Sequence, residues 1–156
     1  MAEHASQALI GWGSILYRGD GETPENFVQV TEVTAFTPPE EKADEVEVTH
    51  FESPNRRKEY IAGLIDAGQA TCTINYNPAV YEIHDTLVKD FEAGDKHNYR
   101  FTLPQTTLTD PDAPMETIDF NAFVLGFKRN LSPSGVLTAD ITFRVSTVTT
   151  ERPAFT

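Results

Sequence analysis

The feature that most constrains this chain is a pair of alternating segments separated by a stretch without alternation. Val46 and Val48 alternate with acidic residues and a threonine, and apolar residues alternate with polar ones over 69–76. A period of two residues predicts strands that each have one apolar and one polar face. Between them, residues 51–68 carry a proline, adjacent cations and several large apolar side chains. We therefore predict two strands joined by a long loop over about 51–68.

A connection of this length is unusual inside a compact domain and is typically either a functional loop or a disordered segment. The loop contains large apolar side chains that favour docking onto another surface, namely Tyr60, Ile61, Leu64 and Ile65. They offer too little apolar surface for the loop to fold against itself. We therefore expect this loop to be mobile in a free subunit and to become ordered on assembly.

The segment from Glu47 to Gln69 reads EVTHFESPNRRKEYIAGLIDAGQ. This order of strand, long loop and strand resembles the major tail tube proteins of long-tailed, non-contractile, lambda-like bacteriophages. The resemblance is most specific over 46–78 and extends more loosely over nearly the whole chain through the order of its features. It implies a structural virion protein whose subunits form hexameric rings. It also implies that the rings stack into a tail tube, the conduit for delivery of the genome into the host.

The resemblance also implies roles for particular residues. Contacts between subunits and between rings fall to the loop residues Phe51, Pro54, Arg56, Arg57, Lys58, Tyr60, Ile61 and Leu64. The cations among them form a positive island in a chain of net charge -12, so acidic surfaces of neighbouring subunits are their nearest abundant partners. Candidates for lining the lumen are Glu45, Glu47, Gln69, Thr71 and Thr73. These polar faces would equally meet solvent on a monomer, as in any antiparallel sheet with one wet side.

Charge and length limit the class of protein. Twelve cations against twenty-four acids repel phosphates, so DNA would pass such a wall without specific binding. A chain of 156 residues has the size of a single domain, here 1–156.

The sequence shows neither an apolar run of membrane-spanning length nor a secretory leader, so we expect synthesis in the host bacterial cytoplasm and a final location in the virion tail. Other tail proteins are the expected partners at the tube ends.

The remaining pattern predicts a mainly β fold, a β-sandwich or partly open β-barrel with one flanking helix. Strands are expected near 14–18, 26–36, 99–103, 116–128 and 136–148, the last two forming a hairpin. The Asn77-Pro78 start signal and Gly94 predict a helix over about 78–93, with Val80, Ile83, Leu87, Val88 and Phe91 on its apolar face. Residues 1–7 and 149–156 have no period and are expected to be mobile arms. We expect no C-terminal immunoglobulin-like domain of the kind that some members of the resembled family carry.

No pattern indicates catalysis, and we predict that the protein is not an enzyme and uses no cofactor. The sequence has no nucleophile elbow, zinc signature or glycine-rich phosphate loop. His84 shares its helix with several acids, but without a second ligand at metal spacing a solvated acidic face is favoured. Asp110 and Asp112 are too few for a calcium loop. Cys72 is expected to be a small buried hydrophobe.

Two other functions stay open at this point. The first is a monomeric β-sandwich binding or adhesion module, which would expose aromatic side chains on one sheet face. Against it, Trp12 is the only tryptophan, and the other aromatic residues mostly follow the apolar alternation. The second is an enzyme with a spatially assembled site, for which the four His residues are the available groups.

Overall fold

The computed structural model describes residues 13–104 and 114–152. Its strands are β1 (Ile15–Gly19), β2 (Phe27–Gln29), β3 (Val33–Thr37), β4 (Lys42–Glu47), β5 (Tyr60–Asp66), β6 (Gln69–Asn75), β7 (His97–Thr102), β8 (Thr117–Asn130) and β9 (Thr138–Glu151). The helix described is α1 (Glu82–Ala93), and a single turn of 3-10 helix covers Pro54–Arg56. The mainly β fold with one flanking helix is confirmed.

Seven strands form one antiparallel sheet in the order β2-β1-β7-β8-β9-β6-β3, and β4 pairs with β5 in a separate two-stranded sheet. The large sheet curls over an apolar inner face. As a result Phe36 of edge strand β3 reaches Phe101 of β7, with ring centroids 4.3 Å apart. The sheet does not close into a barrel. Within the described part of the chain, β2 and β3 are therefore its edge strands, each with a neighbouring strand on one side only.

The predicted alternation holds wherever a strand has the core on one side. On β6 the side chains of Ala70, Cys72 and Ile74 are buried, and on β9 the buried positions are Ala139, Ile141, Phe143 and Val145. The intervening residues form the polar outer face of the sheet. Burial raises the pKa of the Cys72 thiol to about 12, and the carboxylate of Asp140 adds to this rise. Cys72 is therefore a buried hydrophobe, as predicted.

The helix differs from its prediction at the start and in the face it buries. It begins at Glu82, and the Asn77 side chain instead accepts a hydrogen bond from the Val80 amide (3.3 Å) in the preceding turn. It ends as predicted at Gly94, whose φ is 72°. The buried helix residues are Ile83, His84, Leu87 and Asp90, whereas Val80 and Phe91 are exposed.

The buried polar helix residues are explained by contacts with distant strands. Asp90 accepts two hydrogen bonds from Arg18 of β1, at 2.5 Å from Nε and 2.8 Å from Nη2. His97 Nε2 lies 3.3 Å from the same carboxylate. Burial lowers the pKa of Arg18, but the hydrogen bond and charge of Asp90 outweigh it, and the net shift is upward. This ion pair joins the end of α1 to the sheet.

Three other predicted boundaries are wrong. The strand expected over 26–36 is two strands, because the chain turns at Thr31 and Glu32, where Glu32 has a φ of 62°. Part of the loop expected over 51–68 is instead a strand, β5 (Tyr60–Asp66), which pairs with β4. The arm expected from residue 149 begins later, since β9 continues to Glu151. The arm over 1–7, Trp12 and the acids at 110 and 112 lie outside the described residues.

Candidate assembly surface

The segment that we expected to be a loop is most of a two-stranded hairpin that stands apart from the core. We call residues 42–66 the projecting hairpin; its pairing runs from Lys42 opposite Asp66 to Glu47 opposite Tyr60. Every residue of β4 is exposed, and so is every residue of β5 except the half-buried Gly63. A lone two-stranded hairpin is marginally stable in water. A partner that covered its surface would stabilise it.

The root of the projecting hairpin is fixed by Asp66 and Gly68. The Asp66 carboxylate accepts hydrogen bonds from the Gly68 amide (2.9 Å) and from Arg144 of β9 (3.1 Å). The Gly68 amide and Arg144 lower the pKa of Asp66. Gly68 has a φ of 74°, and a Cβ added there would lie 2.6 Å from the carbonyl oxygen of Glu40. This turn therefore requires glycine, and it sets the direction in which the hairpin leaves the sheet.

The tip of the projecting hairpin is held by its own polar contacts. The Ser53 hydroxyl accepts a hydrogen bond from the His50 amide (2.9 Å) and donates one to the Glu59 carboxylate (2.5 Å). Asn55 and Arg56 have φ angles of 54° and 58°, a region that non-glycine residues rarely occupy. Non-glycine residues with such strained φ angles cluster at functional sites of proteins. The tip presents its cations on an ordered turn.

The projecting hairpin carries much of the exposed apolar surface of the described chain. Of the fourteen large apolar residues that are exposed, seven lie on it: Val46, Val48, Phe51, Tyr60, Ile61, Leu64 and Ile65. Phe51 at the tip is fully exposed, and Leu64 is 83% exposed. Val46 and Ile61 are directly opposite each other across the two strands. So many exposed large apolar side chains on one element indicate a protein interaction site.

The structure brings all eight loop residues predicted to make subunit contacts onto this one element, as Phe51, Pro54, Arg56, Arg57, Lys58, Tyr60, Ile61 and Leu64 all lie within it. Sequence reasoning did not assign Val46 and Val48 to a docking surface, and it counted Ile65 among the docking side chains but not among the subunit contacts. The alternation around Val46 predicted a half-buried strand, whereas both faces of β4 are exposed. The sequence feature that could have indicated this exposed strand is the lack of apolar–polar alternation over Tyr60–Asp66. A strand that faces the core on neither side is not constrained to alternate.

The predicted lumen residues fall into two groups. Gln69, Thr71 and Thr73 lie on the outer face of the large sheet, opposite Arg144, Thr142 and Asp140 of β9. Glu45 and Glu47 lie on the projecting hairpin instead. The two sets therefore belong to different sheets.

Two arginines on the outer face of the large sheet, Arg100 and Arg144, are held by carboxylates. Arg100 donates to both oxygens of Asp119, at 2.7 and 3.2 Å, and Arg144 donates to Asp66. Asp140 accepts hydrogen bonds from Asn130 (3.0 Å) and Thr73 (2.8 Å), which together lower its pKa. Guanidinium groups engaged in this way are less available to bind phosphates.

His84 is part of the core and not of the solvated helix face where we placed it. It is fully buried, its Nδ1 accepts from the Asn77 amide (3.0 Å), and its Nε2 lies 2.9 Å from the Thr31 carbonyl oxygen. Both ring nitrogens are thus engaged, which excludes it as a metal ligand in this arrangement.

Over 13–104 and 114–152, no group of three or more His, Cys, Asp or Glu side chains is placed to hold a metal ion. Within the same ranges, no helix is long and apolar enough to cross a membrane.

Comparison with known proteins gives a family match and a consistent set of structural neighbours. The family model described as "Lambda phage tail tube protein, TTP" matches residues 15–151. The tail of an empty gene transfer agent particle, determined with C6 symmetry, has a TM-score of 0.68 at 15% identity, covering 94% of this chain and 100% of that one. The SPP1 tail tube has a TM-score of 0.65 at 7% identity, covering 94% and 80%.

The tube-terminating cap of the anti-feeding prophage has a TM-score of 0.71 at 14% identity, covering 98% of this chain and 97% of that one. At these identities the likeness establishes a shared fold. A search of curated proteins found no match to the sequence.

Proposed function

The chain belongs to the lambda phage tail tube protein family, and from this premise we propose that its subunits form hexameric rings that stack into a tail tube for genome delivery. As a member of that family it is a structural, tube-forming protein of the virion tail. The C6 symmetry of the gene transfer agent tail, whose tube subunit shares this fold, supports six subunits per ring.

The observation that carries the proposal is the projecting hairpin. Apart from the pair of Asp66 with Arg144 at the root, its strands pack closely only on each other among the described elements, and it presents seven exposed large apolar residues. Such a surface exposed to water favours association, because burying a large apolar side chain stabilises by about 1.5–3 kcal/mol. The edge strands β2 and β3 each leave one side of their backbone without a neighbouring strand among the described residues. Subunits that join edge to edge within a ring would cover these exposed edges.

The proposal includes the remaining partners and the absence of chemistry. Other tail proteins would cap the two ends of the tube, where the last ring has one uncovered surface. Synthesis would take place in the cytoplasm of the bacterial host, before assembly. We propose no catalytic role, because the polar side chains described above contact one another in structural pairs.

Electron microscopy and light scattering of the concentrated, purified protein test this function. We expect tubes of uniform width that show stacked rings with six subunits, and a scattering mass that rises with concentration. A monomeric binding or adhesion module would instead stay monodisperse at the 17.3 kDa of one chain. Monomer-sized protein without tubes at every concentration and salt condition would contradict the proposal.

We further propose that Glu45 and Glu47, with Gln69, Thr71 and Thr73, face the lumen. A wall that bound phosphates would retain the DNA, whereas a negative wall repels DNA that passes within the screening length of about 8 Å. In phage whose tails assemble with Glu45→Lys and Glu47→Lys, we expect slower ejection of DNA.

The matched control for this lumen prediction is Glu92→Lys with Asp95→Lys, which makes the same change of charge at exposed positions in and after α1. Because α1 packs against the inner side of the large sheet, the control should eject DNA at the normal rate. Normal ejection from phage with intact Glu45→Lys, Glu47→Lys tails would remove these two residues from the lumen.

A further inference from the structure

We propose that a groove at the end of the large sheet remote from the projecting hairpin receives the hairpin tip of a second copy of this chain. The lining of this far groove combines the polar residues Glu32, Asn75 and Asn77 with aromatic and apolar residues that include Tyr76, Tyr81 and Val136. The inference rests on the proposed tube function and adds the surface on which the hairpin docks.

The positions of the two surfaces favour a partner from another subunit. The projecting hairpin leaves the sheet where β3 ends and β6 begins, since Thr37 is opposite Thr71. The far groove lies where β6 ends, next to Asn75 and its β9 partner Thr138. Six residue steps along β6 separate these ends by about 20 Å, at roughly 3.3 Å per residue. Donor and acceptor surfaces therefore lie at opposite ends of the strand.

A contact between opposite ends of two copies joins them head to tail. Contacts of this type use two different patches and leave one of each free at the ends of the assembly. They generate an open, repeating array when the geometry does not close on itself. A stack of rings is such an array along its axis, so a hairpin-to-groove contact matches the growth of a tube.

The far groove has the size and lining of a docking site for apolar side chains. Its volume is about 540 Å³, and Val136 at its edge is 67% exposed. Two further exposed apolar residues, Leu131 and Val80, lie in the turns that flank it. The other large exposed apolar residues outside the hairpin are scattered, namely Val28, Phe91 and Leu125. The region around the far groove is therefore the second apolar cluster on the described surface, and the tip residue Phe51 is the side chain suited to enter it.

The charges of the two surfaces are complementary. Arg56, Arg57 and Lys58 at the hairpin tip form no ion pair with any residue in the described part of their own chain. Glu32 lines the far groove, where its carboxylate accepts from Asn75 (2.9 Å). A carboxylate held in place in this way is a suitable partner for an incoming guanidinium.

Two other charged residues lie near the far groove. Glu82 in the first turn of α1 follows the groove residue Tyr81 and adds a second negative charge. The nearby cation Arg129 lies over the rings of Tyr76 and Phe127, at 5.4 and 4.9 Å from their centroids. Among the described residues neither Glu32 nor Glu82 forms an ion pair with Arg129 or with any other cation, so both carboxylates can pair with a partner's cations.

Cysteine crosslinking in assembled tubes tests the contact. Phe51→Cys with Val136→Cys places one thiol on the hairpin tip and one in the far groove. The native Cys72 is buried, with a thiol pKa raised to about 12, so it does not compete. With a short thiol-to-thiol crosslinker we expect a ladder of dimers, trimers and longer chains on a denaturing gel. The matched control Phe51→Cys with Leu125→Cys uses another exposed apolar position and should give no ladder.

Charge reversal gives a second readout. Glu32→Arg should slow tube elongation about tenfold or more at low salt, because like charges would then meet across the contact. Adding Arg56→Glu and Arg57→Glu to the same chain should restore much of the rate, whereas these two changes alone should slow it.

The outcomes separate the two proposals. Absence of tubes from the wild-type protein would contradict the proposed function. Wild-type-like tubes from the cysteine variant without a ladder, or with equal crosslinking at Leu125, would overturn the far groove as the docking site. Failure of the combined charge variant to recover would overturn the pairing of Glu32 with the tip cations.

Discussion

Replacing Phe51 and Leu64 of the projecting hairpin by aspartate should abolish tube formation and leave the subunit folded. Both side chains are highly exposed in the subunit, at 111% and 83%, so the substitutions remove no core contact. In the assembled state each substitution loses about 1.5–3 kcal/mol of apolar burial. Each also places a carboxylate in an apolar contact, which adds a desolvation cost. Because every subunit in a tube would carry both changes, the loss recurs at each junction.

Light scattering and electron microscopy measure the effect on assembly, and urea unfolding measures the effect on the subunit. Leu125→Asp is the matched control, since Leu125 is also exposed (46%) but lies on β8, away from the hairpin. The control should assemble. Tubes formed by the Phe51→Asp, Leu64→Asp variant at wild-type concentrations would show that the hairpin is not an assembly surface.

The largest expected effect on stability comes from Asp90→Asn. This substitution keeps the shape of the side chain but leaves the guanidinium of Arg18 without its counter-charge, where the two side chains are only 14% and 7% exposed. Removing one partner of a buried ion pair typically costs about 3–5 kcal/mol, because the remaining charge stays desolvated. The interaction with His97 is weakened by the same change. We therefore expect a decrease of about 3–5 kcal/mol in the free energy of unfolding, measured with urea.

Asp85→Asn on the same helix is the control for this experiment. Asp85 pairs with Lys89 one turn away, and it is 46% exposed. An exposed pair at this spacing contributes roughly 0.3–0.5 kcal/mol. A decrease below about 1 kcal/mol for Asp90→Asn, similar to the control, would mean that water reaches Arg18 and that the pair does not fix α1 to the sheet.

The sequence predicted those elements whose side chains face one continuous core. Strands β6, β8 and β9 alternate because their inner faces pack together, and that period is visible without knowledge of the fold. The buried face of α1 was not predictable in the same way. Polar residues on a helix are usually exposed, whereas His84 and Asp90 are buried through contacts with residues 53 and 72 positions away. Contacts of such separation leave no local pattern.

The assembly surface was predictable in its residues but not in its form. The cations and apolar side chains of 51–68 indicated docking, yet the alternation rule assumes a core on one side and therefore missed β5. The far groove was not predictable, because Glu32, Tyr76, Tyr81 and Val136 come from separate parts of the chain. Its apolar residues taken singly look like ordinary surface positions.

Hydrogen exchange of the backbone amides of residues 42–66, compared between the free subunit and assembled tubes, tests the central claim most directly. A hairpin that is exposed on both faces opens readily, so these amides should exchange fast in the free subunit. In tubes, contact with a neighbouring subunit should slow their exchange by orders of magnitude, while the buried amides of β9 stay protected in both states. Equal exchange of 42–66 in subunit and tube would contradict the claim that this hairpin joins the subunits together.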